Sequence, residues 1–249
     1  MIRRPSFLPS LLAGSLCVSA CGSTPPPDPP VCALPPAPLK SPRYRQCGPR
    51  LDFTPINSYQ GDLKIVNDRE DAVVLINGNC TGTLIAAIGG PVVLTAGHCV
   101  GLGDEAAVAF NVEDMPDGPE ISVTGKTFEQ SNAPDYALLR LDTLPAVTPT
   151  PLGTQPGDRL AIIQHPRGGL KVVAEGSFLD SCRGLAYYTD LDTLVGSSGA
   201  GVLSRKGNLI GVHTDGDCRT DGGGSNHGWT AASIVEASPY LQAADLADR

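Results

Sequence analysis

Three side chains of complementary chemistry stand in a fixed order along this chain. His98 lies in Thr95-Ala-Gly-His-Cys99, Asp135 follows Pro134 in Asp-Tyr-Ala-Leu-Leu-Arg-Leu141, and Ser198 sits in Gly196-Ser-Ser-Gly-Ala-Gly201. A serine hydroxyl is a poor nucleophile at neutral pH. It needs a base within hydrogen-bond reach, and that base needs an orienting group. An imidazole titrates near working pH, so His98 suits the group that takes the hydroxyl proton and returns it to a leaving group. Asp135 suits the group that holds the ring in one tautomer and stabilises its cation. Small neighbours around Ser198 let backbone amides approach a substrate. The N–H groups of Gly196 and Ser198 are therefore the expected oxyanion hole, each donor worth about 2.7–4 kcal/mol. The chemistry expected is acyl transfer through a covalent intermediate. Ser197 is the rival nucleophile. Asp104, Asp114 and Asp142 are rival acids, but none precedes such a strand in the right order.

The elements that must position these groups read as short strands. Residues 71–77, 80–86, 91–96, 105–111 and 136–141 form one run. After a Pro/Thr-rich joint at 145–157, residues 159–164, 170–174, 201–204 and 208–213 form a second. The tail from about Ala231 to Asp248 reads as helix, with Ile234, Val235, Leu241 and Leu246 as core candidates. Two similar runs of strands closed by a helix predict an all-β fold of two small packed barrels. The expected divisions are an N-terminal barrel over 58–150 and a C-terminal barrel with its helix over 151–249.

The 249 residues carry a formal net charge of −8, which argues against a nucleic-acid partner, since phosphate binding needs a basic face. Arg3 and Arg4 precede an apolar stretch from Phe7 to Val18, too short for a membrane span, so residues 1–21 read as a signal peptide. Val18-Ser-Ala-Cys21 resembles a lipobox in which Cys21 becomes a lipidated N-terminus and a membrane tether; the small residues also permit plain cleavage after Ala20. Residues 22–57 read as an N-terminal extension whose Pro-rich first part forms an extended spacer. Cys17 leaves with the signal and Cys21 is the lipid candidate. Six cysteines remain (Cys32, Cys47, Cys80, Cys99, Cys182 and Cys218), which suggests three disulfides in an exported chain. The expected location is the cell envelope, as an outer-membrane or periplasmic lipoprotein, or outside the cell. No metal or other cofactor is expected, because no Cys-x-x-Cys or His-x-x-x-His spacing occurs. A monomer acting on protein or peptide is expected.

From about residue 60 onward, these motifs resemble the trypsin/chymotrypsin serine-protease superfamily, and among its members the bacterial glutamyl-endopeptidase and exfoliative-toxin branch. Gln164-His-Pro166 and Tyr188-Thr-Asp-Leu-Asp-Thr193 add to that likeness. The order His, Asp, Ser also matches, whereas an α/β-hydrolase would show Gly-x-Ser-x-Gly and a different order. The resemblance implies two six-stranded Greek-key barrels, the triad His98, Asp135 and Ser198, and a disulfide Cys80–Cys99 pinning the histidine loop. Cys182–Cys218 across the pocket walls and Cys32–Cys47 in the extension are the expected further pairs, with a bond from Cys47 to a barrel cysteine left open. Ser197 stands where trypsin-like enzymes usually have Asp, so the animal-type zymogen switch is expected to be absent. Ala200-Gly201 also departs from the usual Ser-Pro or Gly-Pro.

The resemblance gives two competing readings of specificity. Thr193 and His213 match the positions that bind an acidic side chain in glutamyl endopeptidases, with Thr214 beside them. Asp192 matches the pocket carboxylate of trypsin and would favour Lys or Arg; a turn-capping role for it is the plain alternative. The acidic preference is the expectation retained. A different class of function, a protease-fold binding module or adhesin without turnover, remains as the rival. His165, before Pro166, reads as a turn residue, and His227, in a Gly-rich stretch, as exposed.

Overall fold

Apolar runs such as Val92-Val-Leu94 and Leu160-Ala-Ile-Ile163 send alternate side chains to opposite faces, because the strand period is two. In the computed structural model, which describes residues 44–114 and 118–248, both faces of these strands are buried. Residues 1–43, on which the expected signal peptide, Cys21, Cys32 and the expected Pro-rich spacer fall, lie outside the described residues.

The chain runs through β1 (Tyr44–Arg45), β2 (Thr54–Pro55), α1 (Val66–Arg69), β3 (Val73–Ile76), β4 (Cys80–Ile85), β5 (Val92–Thr95), β6 (Glu105–Phe110), β7 (Ile121–Asn132) and β8 (Asp135–Leu141). It continues with β9 (Arg159–Gln164), β10 (Val172–Cys182), β11 (Leu185–Thr189), β12 (Thr193–Leu194), β13 (Gly201–Ser204), β14 (Leu209–Gly216), β15 (Asn226–Thr230) and α2 (Ala231–Ala237). The first barrel closes in the order β3-β4-β5-β8-β7-β6. The second runs β11-β15-β14-β13-β9-β10 and closes through pairing of β10 with β11. The fold is thus the expected pair of six-stranded antiparallel barrels with a C-terminal helix. Among the described residues no helix is long and apolar enough to cross a membrane.

The two-residue period divides the core into three layers. Val93 and Leu139 fill the first barrel, Leu160 and Ile162 the second. Their neighbours Val92, Leu94, Ala161 and Ile163 point outward into a layer shared by both barrels, α2 and the tail. Full burial of such a side chain contributes about 1.5–3 kcal/mol, so this shared layer is what fixes one barrel against the other. Strands buried on both faces read as unbroken apolar runs, which is why they are visible in the sequence.

The expected long terminal helix is shorter. Thr230 caps α2, its hydroxyl accepting the Ser233 N–H at 3.2 Å, and the helix stops at Ala237. The stop is set by Pro239, which disfavours helical geometry at the residue before it, Ser238, where φ and ψ are −80° and 126°. Only a short 3-10 turn, Ala243–Asp245, follows, yet Leu241 and Leu246 are buried as expected.

A charged cluster lies in the same region of contact between the barrels. Lys171, immediately before β10, is wholly buried. Its Nζ donates to the Glu70 carbonyl at 2.9 Å, to Glu70 Oε2 at 2.7 Å and to the Glu113 carboxylate. Asn57 donates to Glu113 Oε2 at 3.1 Å. The cluster joins the turn before β3, the loop after β6 and the start of β10.

Candidate active site

β5 ends at Thr95, and a 3-10 turn over Gly97–Cys99 carries His98 to the surface. The disulfide Cys80–Cys99, with Cα atoms 6.1 Å apart, holds this turn to the start of β4, as the resemblance implied. β8 begins at Asp135 and pairs with β5 in the register Thr95↔Ala137, which brings Asp135 beside His98. Gly97 permits the approach. A Cβ there would lie 2.1 Å from the Ser131 carbonyl and 2.9 Å from Asp135 Oδ1. The glycine before the histidine is therefore a packing requirement of this pair.

Asp135 grips His98 at two points. Oδ1 accepts the His98 backbone N–H at 3.0 Å, and Oδ2 meets Nδ1 at 2.7 Å. The bond requires the proton on Nδ1 when the ring is neutral, which leaves the Nε2 lone pair to receive a proton. That hydrogen bond raises the His98 pKa above 6.5; burial opposes it, and the charges of Asp135 and Asp215 add to it. Only the neutral ring can accept a proton, so an activity that uses His98 as its base rises with pH through this raised value. A rate–pH profile should place the acidic limb above pH 6.5, and Asp215→Asn should move it to lower pH. An unmoved limb in that variant would remove Asp215 from the electrostatics of the site.

Ser198 lies between β12 and β13 in a turn whose peptides are almost all anchored. The Val195 carbonyl accepts the Arg167 N–H at 2.5 Å, the Gly196 carbonyl accepts the Thr81 hydroxyl at 2.8 Å, and the Ser198 carbonyl accepts the Thr81 N–H at 2.9 Å. Ser197 N–H bonds the Leu194 carbonyl at 3.0 Å, Gly199 N–H the His213 carbonyl at 2.8 Å, and Ala200 N–H the Ser197 carbonyl at 3.1 Å. Across residues 196–200, the N–H groups left with no acceptor among the described residues are those of Gly196 and Ser198. A trans peptide points its N–H opposite its carbonyl. Anchoring Val195 on Arg167 thus turns the Gly196 N–H away from the Arg167 turn. Gly196 adopts φ +98°, and a Cβ there would strike the Arg167 amide at 2.6 Å. The Ser198 carbonyl also lies 3.7 Å from Cys99 Sγ, so the Ser198 turn and the histidine turn are in contact. An open groove of about 540 Å³ flanks His98, lined by Asn77, Cys99, Val100, Gly101, Asp104 and Glu105.

The other expected site residues fare differently. Asp192 is not a pocket carboxylate. It is 1% exposed, and its two oxygens accept the N–H groups of Cys47 at 2.6 Å and Asp52 at 2.7 Å. Burial raises its pKa against those two bonds, and its task is to seat the extension. Thr193 is buried, and its hydroxyl accepts from Asn226 Nδ2 at 3.2 Å. His213 is buried with Nδ1 2.6 Å from the Tyr188 hydroxyl. Thr214 is the residue passed over by the register shift between His213↔Gly228 and Asp215↔His227. Ser197 accepts the Leu194 N–H at 3.0 Å through its hydroxyl, closing the turn locally without a carboxylate.

His165 serves the turn, as expected: its ring Nδ1 donates to the Gly169 carbonyl at 3.0 Å, and burial lowers its pKa to about 4. His227 departs from expectation. It lies on β15, is 4% exposed and packs on Tyr187 with ring centroids 5.6 Å apart. The glycines before it end at Gly224, and from Asn226 onward pairing with β11 and β14 buries the strand that carries it.

The disulfides also need correction. Cys47 bonds Cys218, not Cys32, and Cys182, though disulfide-bonded, does not pair with Cys218. The cause is the docking of the extension. β1 pairs with β12 in the register Arg45↔Thr193, the Gly48 N–H bonds the Arg219 carbonyl at 3.0 Å, and Asp192 takes two amides. These contacts place Cys47 against Cys218, 171 residues away in sequence. Thr81 and Asp215 were not identified from the sequence. A threonine in a strand is ordinary, and nothing local marks either residue. Among the described residues no group of three His, Cys, Asp or Glu is placed to hold a metal.

Comparison with known proteins agrees with this geometry. The trypsin-like peptidase domain matches residues 80–212. No curated protein matches by sequence. Among solved structures, the serine endoprotease from Yersinia pestis superposes with a TM-score of 0.58 at 18% identity, covering 72% of this chain and 65% of that one. The MamO protease domain from Magnetospirillum magneticum gives 0.53 at 17% identity, covering 69% and 97%. The Rv3671c protease in an inactive form gives 0.54 at 17%, covering 70% and 91%. At these identities the likeness is one of fold.

Proposed function

Because the chain belongs to the trypsin-like peptidase domain family, a family of serine endopeptidases, we propose that it hydrolyses peptide bonds with Ser198 as nucleophile, His98 as base and Asp135 as orienter. The observation that carries this reading is the pair of unclaimed N–H groups, Gly196 and Ser198, in a turn that meets Cys99, the residue after His98, whose ring is held by Asp135. Ser198 Oγ attacks the peptide carbonyl and its proton passes to His98 Nε2. The carbonyl electron pair becomes an oxyanion facing the two N–H groups. His98 then protonates the departing amine as the C–N bond breaks. Water repeats the sequence on the acyl-enzyme, and the acid leaves.

The preference proposed is for Glu or Asp before the scissile bond, with Thr193, His213 and Thr214 in the pocket. Two facts support it. Asp192 is occupied by backbone amides, so the carboxylate that would have favoured Lys or Arg is spent elsewhere. His213 is fixed in the second barrel by Tyr188. Disulfides fit an exported chain, and export with a tether through Cys21, followed by an extension to residue 57 and barrels over 58–150 and 151–249, is the arrangement proposed. The enzyme is proposed to act as a monomer.

The test is cleavage of a diverse peptide library by the chain and by Ser198→Ala. Cuts after Glu or Asp that vanish in the variant are the expected result. Ser198-dependent cuts after Lys or Arg would overturn the pocket assignment alone. Undiminished cleavage by the variant would overturn the mechanism, and a folded chain that neither cuts nor reacts with a fluorophosphonate would point to a binding module.

A further inference from the structure

The oxyanion turn belongs to the second barrel, yet one residue of the first barrel holds it at two places. Thr81, the second residue of β4, is wholly buried. Its hydroxyl donates to the Gly196 carbonyl at 2.8 Å and accepts the His165 N–H at 3.0 Å. Its own N–H donates to the Ser198 carbonyl at 2.9 Å, and its carbonyl accepts the Thr95 hydroxyl at 2.7 Å. One side chain therefore joins the nucleophile turn to the turn at His165, whose neighbour Arg167 anchors Val195. Thr95 lies three residues before His98 and ties the same network to the base.

The hydroxyl has a geometric consequence. Gly196 contributes its N–H to the oxyanion hole and sits in a conformation, φ +98°, that glycine adopts without steric cost and that nothing in its own side chain can hold. The peptides on either side of Gly196 decide where that N–H points. The Val195 carbonyl is fixed by Arg167, and the Gly196 carbonyl is fixed by Thr81. Without the hydroxyl, the Gly196 carbonyl loses its partner, and so does the buried His165 N–H. The Gly196–Ser197 peptide is then held through its N–H alone, by the Leu194 carbonyl, and can tilt so that the two donors no longer converge on one oxygen.

We propose that the Thr81 hydroxyl is a positioning residue for catalysis, holding the Gly196 and Ser198 donors in register across the barrel interface. The proposal rests on the reading of Ser198 as nucleophile. It predicts a loss in the chemical step and not in substrate binding, because Thr81 is buried away from substrate. A misplacement of the order of 1 Å at a reacting group costs on the order of 10²-fold in rate, and outright loss of an oxyanion donor costs about 10²–10³-fold.

Thr81→Val, Thr81→Ala, Thr81→Ser and Ser198→Ala are compared with the parent on one peptide that the parent cleaves. Thr81→Val and Thr81→Ala should each lower kcat by roughly 10- to 100-fold with KM changed by less than about twofold. Thr81→Ser, which keeps the hydroxyl, should restore most of kcat. A peptide aldehyde of the same sequence supplies the second reading. Ser198 Oγ bonds its carbonyl carbon, the C=O pair becomes an oxyanion, and the hydroxyl proton passes to His98. The matching alcohol cannot form that adduct. The two hydroxyl-less variants should weaken aldehyde binding by the same factor as kcat and leave alcohol binding unchanged. Unaltered kcat in a folded Thr81→Val or Thr81→Ala would overturn the proposal, as would a loss that Thr81→Ser does not restore. If Thr81→Val does not fold, Thr81→Ala against Thr81→Ser decides. Activity retained in Ser198→Ala would overturn the underlying reading instead, whatever the Thr81 variants do.

Discussion

Asp135→Asn should leave the chain folded and lower kcat by about 10⁴-fold, the loss such an exchange causes at this type of triad. The two-point grip on His98 gives the reason. One oxygen of residue 135 accepts the His98 backbone N–H, which only an acceptor can do. An asparagine must therefore place its carbonyl oxygen there, and its NH₂ group then faces Nδ1. That contact favours the tautomer with its proton on Nε2, which cannot accept a proton from Ser198. Steady-state kinetics with thermal unfolding in parallel would check this. The expected result is an unchanged melting temperature with kcat reduced by orders of magnitude. A variant within tenfold of the parent would show that Asp135 does not set the tautomer.

Lys171→Met should destabilise the fold by about 3–5 kcal/mol, because it leaves buried carboxylates without their partner. Burial pushes the Glu70 pKa up to about 7, with Lys171 opposing it. Burial acts on Glu113 in the same direction, but the bonds from Lys171 outweigh it and hold that carboxyl below its usual range. Without Lys171, burial acts on Glu70 with no cation against it, and on Glu113 against the weaker bond from Asn57. Their folded pKa values then lie above the unfolded value of 4.5, so the folded variant binds protons that the unfolded chain does not. The deficit should be greatest above pH 7 and shrink as the pH falls toward 4.5. Denaturant unfolding of both chains across this range measures it. A deficit independent of pH would mean that lost packing around the lysine stem, and not the stranded carboxylates, is the cause.

The same contrast runs through the whole molecule. The barrels were legible because β5 and β9 bury both faces and so read as unbroken apolar runs. The terminal helix was legible in its apolar positions but not in its length, since Leu241 and Leu246 stay buried without helical backbone after Pro239. His227 was misjudged because the glycines before it signal a loop, whereas its burial depends on two strands that pair with it from elsewhere.

By itself, the sequence determined which residues are proposed to carry the chemistry. Gly97 before His98, Asp135 at a strand start and glycines around Ser198 are local requirements of close backbone approach, and local requirements leave a local pattern. The tertiary structure alone decided what the buried polar groups do. Asp192 receives two amides of the extension, Cys47 meets Cys218 across 171 residues, and Thr81 carries a hydroxyl from one barrel to the Gly196 carbonyl of the other. Each of these is a bond between segments far apart in sequence. A carboxylate, thiol or hydroxyl takes its role from the partner that burial brings to it, and that partner is set by how the barrels and the extension dock.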